Sequence, residues 1–176
     1  MIVFLFVEGY YDKLFFENVL KKIDFCVDIN VQEYAQKQPS RINDYLKSIV
    51  KSGNVYILIA DLDPEQYQSS AERVSKLRNL YTSLDEGSVI IVEPEIEAWY
   101  VAGLSKGSKK RLGIKISGKL ESCTKEKFKN TIGKKRDNTD FRMEILENFD
   151  VEIAKKNSKS FKEFVELFSN ICKPLN

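Results

Sequence analysis

The sequence contains no histidine among its 176 residues. This absence excludes mechanisms in which a histidine activates a serine or cysteine nucleophile, and it excludes zinc sites built on imidazole. If the protein is an enzyme, its chemistry therefore has to rest on carboxylates, lysines and a metal ion.

Cysteine is scarce as well, with three residues spread far apart at Cys26, Cys123 and Cys172. An odd number of widely spaced cysteines argues against a disulfide framework and against a cysteine-ligated zinc site. Such usage is typical of a reducing compartment, so we expect a cytoplasmic location.

Long hydrophobic runs are also missing, and no segment is apolar enough over a sufficient length to cross a bilayer. The apolar residues 1–7 lack a preceding basic segment and run directly into Glu8, so they are predicted to form a strand and not a signal peptide. With 43% hydrophobic and 31% charged residues, the composition is that of a globular domain without a membrane partner.

The small net charge of +2 conceals an uneven distribution. Residues 106–136 contain ten lysines and two arginines against two glutamates, a local charge of +10 that leaves −8 on the rest of the chain. Charge runs are usually solvated faces, but this density beside an acidic region suggests that one part holds a metal ion and another meets an anion.

Two clusters in this basic stretch are candidates to neutralise the phosphates of a nucleic acid. They are Lys109, Lys110 and Arg111, and Lys134, Lys135 and Arg136. Phe128 is the only aromatic residue between residues 106 and 136, so stacking of single-stranded bases has little support.

Strand and helix patterns alternate over the first hundred residues. Strands are predicted at 2–7, 27–34, 55–60 and 88–92, and helices at 10–23, 39–50, 69–82 and from Pro94. This alternation predicts an α/β fold with a parallel four-stranded sheet flanked by helices over residues 1–104. Residues 105–176 are predicted to add a basic segment and a C-terminal helical extension to the same domain.

The extension is expected to contain a loop, a short helix near 124–132, a helix from Met143 to Phe149 and a final helix from about Ser160. Ser160 and Glu163 fit a capping box for that last helix. The apolar stripe of Phe161, Phe164 and Phe168 belongs either to the core or to a homodimer face.

Carboxylates follow three of the predicted strands. Glu8 follows the first, Asp61 and Asp63 follow the third, Glu93 follows the fourth, and Asp12 and Glu97 lie one helical turn beyond Glu8 and Glu93. Because the carboxyl ends of parallel strands share one edge of a sheet, we expect these side chains to meet there. Mutual repulsion would raise their pKa values unless Mg²⁺ or Mn²⁺ binds among them.

Each acid also has an ordinary explanation. Aspartate is common as a cap between a strand and a helix, and acids are favoured in the first turn of any helix. Glu97 is less easily explained in this way, because it lies a full turn inside its helix.

The segment Val7–Lys13 (VEGYYDK), together with Asp61-Leu62-Asp63, resembles a TOPRIM domain. That family includes the catalytic domains of topoisomerases and primases, small nucleases and OLD-family nucleases. The resemblance implies a TOPRIM-like, Rossmann-like fold in which Glu8, Asp61 and Asp63 bind Mg²⁺ near a nucleic-acid phosphate.

OLD-like nucleases and small stand-alone TOPRIM-like proteins are the most similar members. The resemblance to OLD-like members implies that Asp12 and Glu97 are further metal ligands. It also implies a late lysine that supports the phosphate, matched by either Lys134 or Lys135. Topoisomerases and primases need additional domains for which 176 residues leave no room.

These observations predict a divalent-metal-dependent nuclease acting on DNA or RNA, with Glu8 as metal ligand or general base. The alternative is a non-catalytic TOPRIM-like protein that binds nucleic acid or a separate ATPase partner, since no Gly-x-x-x-x-Gly-Lys segment in the sequence is followed by the serine or threonine of an ATP-binding loop. A phosphotransferase of receiver or haloacid type fits less well, because its aspartate nucleophile belongs where Glu8 stands.

Overall fold

The structure is a computed structural model that describes residues 1–23, 27–116, 119–133 and 136–171. Within these residues four strands form one sheet: β1 (Ile2–Val7), β2 (Asp28–Glu33), β3 (Val55–Asp61) and β4 (Val89–Val92). The order in the sheet is β2-β1-β3-β4, and every neighbouring pair is parallel. The predicted parallel four-stranded sheet is therefore confirmed.

Helices connect the strands and then form the extension. The first group is α1 (Tyr10–Val19), α2 (Pro39–Lys51), α3 (Ser70–Leu80) and α4 (Ile96–Ala102). The extension contains α5 (Lys106–Arg111), α6 (Lys125–Ile132), α7 (Thr139–Glu147), α8 (Val151–Asn157) and α9 (Lys159–Ile171). Among the helices of the described chain, none has the length and apolar character that a membrane crossing requires.

The sheet buries apolar side chains on both faces, as side chains of a strand alternate between the two sides. Phe6 and Leu58 point into a core formed with α2 and α3. Leu5 and Ile57 point into a second core that includes α1, α4 and most of the extension. Burial on both faces explains why β1 and β3 read as continuous apolar runs.

The C-terminal helix packs into the second core. Phe161, Phe164 and Phe168 of α9 are completely buried, and the rings of Phe161 and Phe164 contact that of Trp99 in α4. The apolar stripe therefore belongs to the core of this chain. The division at residue 104 stays a prediction.

Three predictions about the extension were wrong in detail. Helices α5 and α8 were not expected, and α7 begins at Thr139 because Asn138 accepts a hydrogen bond from the Phe141 amide at 3.0 Å. Ser158, not Ser160, accepts the Phe161 amide at 3.3 Å at the start of α9. Ser160 instead accepts a hydrogen bond from the Trp99 indole at 2.8 Å, which joins the last helix to α4.

Candidate functional site

The sheet order brings together the carboxylates that follow β1 and β3. Asp61 is the last residue of β3, and Glu8 directly follows the adjacent strand β1. The Asp61 Oδ1 atom accepts a hydrogen bond from the Ile96 amide at 2.9 Å, which holds the start of α4 against the end of β3. We call the five predicted ligands the acidic edge; they are Glu8, Asp12, Asp61, Asp63 and Glu97.

Burial is the main electrostatic influence on this edge. It raises the pKa of Asp12 to about 7, with repulsion from Glu8 and Glu97 as the next causes. Burial raises the pKa of Asp61 well above its usual range, and Asp12 and Glu8 add to that shift. The pKa of Glu8 is also raised by burial, although Arg73 opposes the shift. In the described residues, the acidic edge thus brings together carboxyl groups whose ionisation burial and mutual repulsion oppose.

Arg73, near the start of α3, is a component of this site that the sequence analysis missed. Its Nη2 atom donates to Glu8 Oε1 at 2.7 Å and lies 3.7 Å from Asp63 Oδ2. Its Nε atom donates to the Asp61 carbonyl at 3.0 Å, and Nη1 donates to the Tyr67 hydroxyl at 3.0 Å. One guanidinium therefore contacts the carboxylates of two predicted metal ligands, Glu8 and Asp63.

Glu97 is paired with a second arginine that was not predicted. Residue Glu97 is 2% exposed, and its carboxylate accepts a hydrogen bond from Arg142 Nη2 at 2.8 Å. Arg142 is fully buried, donates through Nε to Asp137 at 2.8 Å, and lies over the rings of Tyr11 and Tyr100. This buried ion pair joins the acidic edge to helix α7 of the extension.

Asp63 adopts a left-handed backbone conformation with φ of 51°. Aspartate tolerates this conformation better than most residues, and the Asp63 carbonyl accepts hydrogen bonds from the amides of Gln66 and Tyr67. The resulting turn directs the chain from β3 toward α3, and it places the Asp63 carboxylate on the side of Arg73.

The acidic edge fits a divalent metal ion in the kind of ligand it offers. Carboxylate oxygens are the ligands that Mg²⁺ and Mn²⁺ prefer, and excess buried negative charge favours a cation. In the described part of the chain, however, no group of three or more Asp, Glu or Cys side chains is arranged to hold a metal. Glu8 and Glu97 each direct an oxygen at an arginine, so these side chains would have to turn toward a shared ion.

The residues predicted to bind phosphate differ in what they contact. Lys134 and Lys135 lie outside the described residues. Arg111 donates to the Asn148 side chain, and Arg136 donates to the Leu112 carbonyl and lies 4.3 Å from the centre of the Phe141 ring. The two arginines thus contribute to the packing of the extension.

The two remaining members of the first basic cluster differ in exposure. Lys110 is exposed, while Lys109 is half-buried and burial lowers the pKa of its amine. The described residues therefore show Lys110 as the more freely available cation of the pair.

A cleft of about 560 Å³ lies beside the acidic edge. Its lining includes Glu65, Glu95 and Asp137 together with Lys125 and Lys129 of α6, and the Lys129 amine lies 3.9 Å from the Asp137 carboxylate. The Glu95 carboxylate accepts a hydrogen bond from the Lys125 amide, which holds α6 against the start of α4. Both lysines belong to the basic stretch 106–136. Their position in the cleft could not be predicted, because sequence spacing alone does not show that α6 faces the edge.

The raised pKa of Asp12 predicts how stability depends on pH in the metal-free protein. Its folded-state pKa of about 7 exceeds the ordinary value of 3.8, so the folded state binds more protons between these values. The free energy of unfolding should therefore fall as pH rises from about 4 to about 7, by up to about 4 kcal/mol. Urea unfolding with a chelator present measures this dependence.

The control for this pH dependence is an exposed aspartate. Asp12→Asn should reduce the slope of the pH profile, whereas Asp44→Asn, on the exposed side of α2, should leave it unchanged. An unaltered slope in Asp12→Asn would contradict the assignment of the shift to Asp12.

Comparison with known proteins identifies a solved structure of similar fold. Neither a protein-family model nor a curated protein sequence matches the chain. Among solved structures, the C-terminal region of the Burkholderia pseudomallei OLD protein is similar, with a TM-score of 0.58 and 15% sequence identity. The chain has an OLD-like fold.

The likeness covers 97% of this chain and 98% of the other. The helical extension therefore belongs to the OLD-like fold together with the sheet, and the predicted fold class is confirmed. At 15% identity the likeness concerns the fold, so the chemistry has to be argued from the residues of this chain.

Proposed function

We propose that the protein is a divalent-metal-dependent nuclease that hydrolyses phosphodiester bonds of DNA or RNA at the acidic edge. The observation that carries this proposal is the meeting of partly buried carboxylates at the carboxyl ends of β1 and β3 within an OLD-like fold. Ligands and catalytic groups of open α/β sheets gather at this end of the strands.

The carboxylates of the acidic edge would hold Mg²⁺ or Mn²⁺. The bound ion supplies Lewis-acid stabilisation of the phosphate and acidifies a water molecule. Glu8 is suited to accept the proton of the attacking water, because burial raises the pKa of its carboxyl and makes it a better base. Asp61 is held in place by the Ile96 amide, so one of its oxygens remains for the metal.

Lysines beside the edge would bind the nucleic-acid backbone. Lys125 and Lys129 line the cleft next to Glu95, and Lys134 and Lys135 follow α6 directly in the sequence. Contacts of this kind neutralise phosphates without reading the bases, so the affinity should fall steeply with salt.

Metal binding and cleavage test this proposal in two steps. In Mn²⁺ titration calorimetry, the Asp61→Asn, Asp63→Asn double variant should lose the binding that the wild type shows. In a nuclease assay, Glu8→Gln should lower the rate by at least about 100-fold, because a positioned general base contributes that much or more. Circular dichroism verifies that each variant is folded.

The matched control is Glu17→Gln, which changes an exposed glutamate on α1 and should leave both readouts unchanged. Full turnover by Glu8→Gln would refute the proposed catalytic role.

The two arginines favour one alternative, a non-catalytic protein that binds nucleic acid or a separate ATPase partner. Arg73 and Arg142 neutralise Glu8 and Glu97 without a metal ion. Under this alternative the wild type should bind no Mn²⁺ at millimolar concentration, and it should still bind nucleic acid in a salt-dependent manner.

A further inference from the structure

Arg73 connects three separate parts of the acidic edge. Its guanidinium contacts the Glu8 carboxylate after β1, the Asp61 carbonyl at the end of β3 and the Asp63 carboxylate in the turn that follows. The Tyr67 ring lies 4.7 Å from the guanidinium carbon, and its hydroxyl accepts from Nη1. With a side chain only 13% exposed, Arg73 is fixed in this position.

The position of Arg73 in its helix is unfavourable for the helix itself. It is the fourth residue of α3, where the positive end of the helix dipole repels a cation. Arg78, near the other end of α3, lies where that dipole favours a cation, and it pairs with exposed Glu86 at 2.9 Å. The acidic edge, and not the stability of α3, therefore accounts for an arginine at residue 73.

Asp12 and Asp61 have no such partner among the described residues. Within the ranges that the structure describes, neither Asp12 nor Asp61 forms an ion pair with a lysine or arginine. Asp61 uses one oxygen for the Ile96 amide. The edge is thus divided into a side that carries its own cation and a side that does not.

Many nuclease sites hold two metal ions side by side. We infer that Arg73 takes the place of one such ion in this chain, so that the site binds a single divalent cation on the side of Asp12 and Asp61. The inference rests on the proposed function, which supplies the metal. A second ion at Glu8 and Asp63 would compete with the guanidinium for the same oxygens, and the two cations would repel each other. The guanidinium then supplies the second positive charge beside the phosphate.

The number of bound ions tests this assignment without an activity assay. Titration calorimetry with Mn²⁺ should give about one ion per wild-type chain and about two per Arg73→Gln chain, since the variant frees Glu8 and Asp63. Glutamine keeps a donor for the Asp61 carbonyl but removes the charge. Arg73→Lys restores a positive charge and should return the number to about one.

The control is Arg78→Gln, which removes an arginine from the same helix away from the edge and should still bind about one ion. The inference would be overturned if the wild type bound about two ions. It would also be overturned if the wild type and Arg73→Gln bound the same non-zero number of ions. Either result would leave the proposed nuclease function standing. No binding by either protein would overturn the metal-dependent function as well. If Arg73→Gln does not fold, the wild-type number decides alone, with about one ion in support and about two against.

Discussion

Replacing Arg142 with methionine is expected to lower the free energy of unfolding by about 3–5 kcal/mol. The side chain is completely buried and pairs with both Glu97 and Asp137, whose side chains are 3% and 5% exposed. Methionine fills a similar volume, so the main loss is electrostatic: two buried carboxylates lose their shared cation, and only Lys129, at 3.9 Å from Asp137, remains beside them among the described residues. Urea unfolding followed by circular dichroism measures the change.

Two further variants separate the ion pair from general packing. Arg78→Met removes an exposed ion pair with Glu86 and should cost no more than about 0.5 kcal/mol. Adding Glu97→Gln to Arg142→Met should recover about 1–3 kcal/mol, because one of the stranded charges disappears. If Arg142→Met lowered the free energy of unfolding by less than about 1 kcal/mol, the ion pairs of Arg142 with Glu97 and Asp137 would not hold the extension to the edge.

Replacing Trp99 with alanine is expected to cost about 3–5 kcal/mol as well. Trp99 is fully buried, and its ring contacts the rings of Phe15, Phe16, Phe161 and Phe164. The substitution opens a cavity among helices α1, α4 and α9, and it removes the indole hydrogen bond to Ser160. Because Trp99 is the only tryptophan, unfolding of both proteins should be followed by circular dichroism and not by fluorescence.

The comparison variant for Trp99 is Leu80→Ala, which truncates a half-exposed side chain at the end of α3 and should cost less than about 1 kcal/mol. The stability cost of Trp99→Phe should lie between those of Trp99→Ala and Leu80→Ala, since phenylalanine keeps an aromatic ring in the cluster. Equal stability of Trp99→Ala and the wild type would contradict the assignment of Trp99 to the centre of the second core.

The sheet and the positions of its acids could be predicted because both depend on local patterns. Continuous apolar runs identify β1 and β3, and the alternation of strands and helices implies parallel neighbours. From that topology alone, Glu8 and Asp61 are expected at one edge. The starts of α7 and α9 were less predictable, since several serines, threonines and asparagines nearby could each serve as a cap.

The arginines could not be found in the same way. Arg73 is 65 residues from Glu8 in the sequence, and Arg142 is 45 residues from Glu97. No periodicity or motif links residues so far apart, and both arginines lie in helices that contain other charged residues. Their pairing follows from how α3 and α7 pack around the sheet.

By itself, the sequence determined the α/β class, the strands and the edge at which the carboxylates lie. These features depend on patterns among neighbouring residues: continuous apolar runs for the strands, and the alternation of strands and helices for the sheet. Only the tertiary structure decided which carboxylates are already neutralised. Among the residues that the structure describes, Glu8 and Glu97 have arginine partners while Asp12 and Asp61 have none, because long-range packing brings Arg73 to 2.7 Å from Glu8 and Arg142 to 2.8 Å from Glu97.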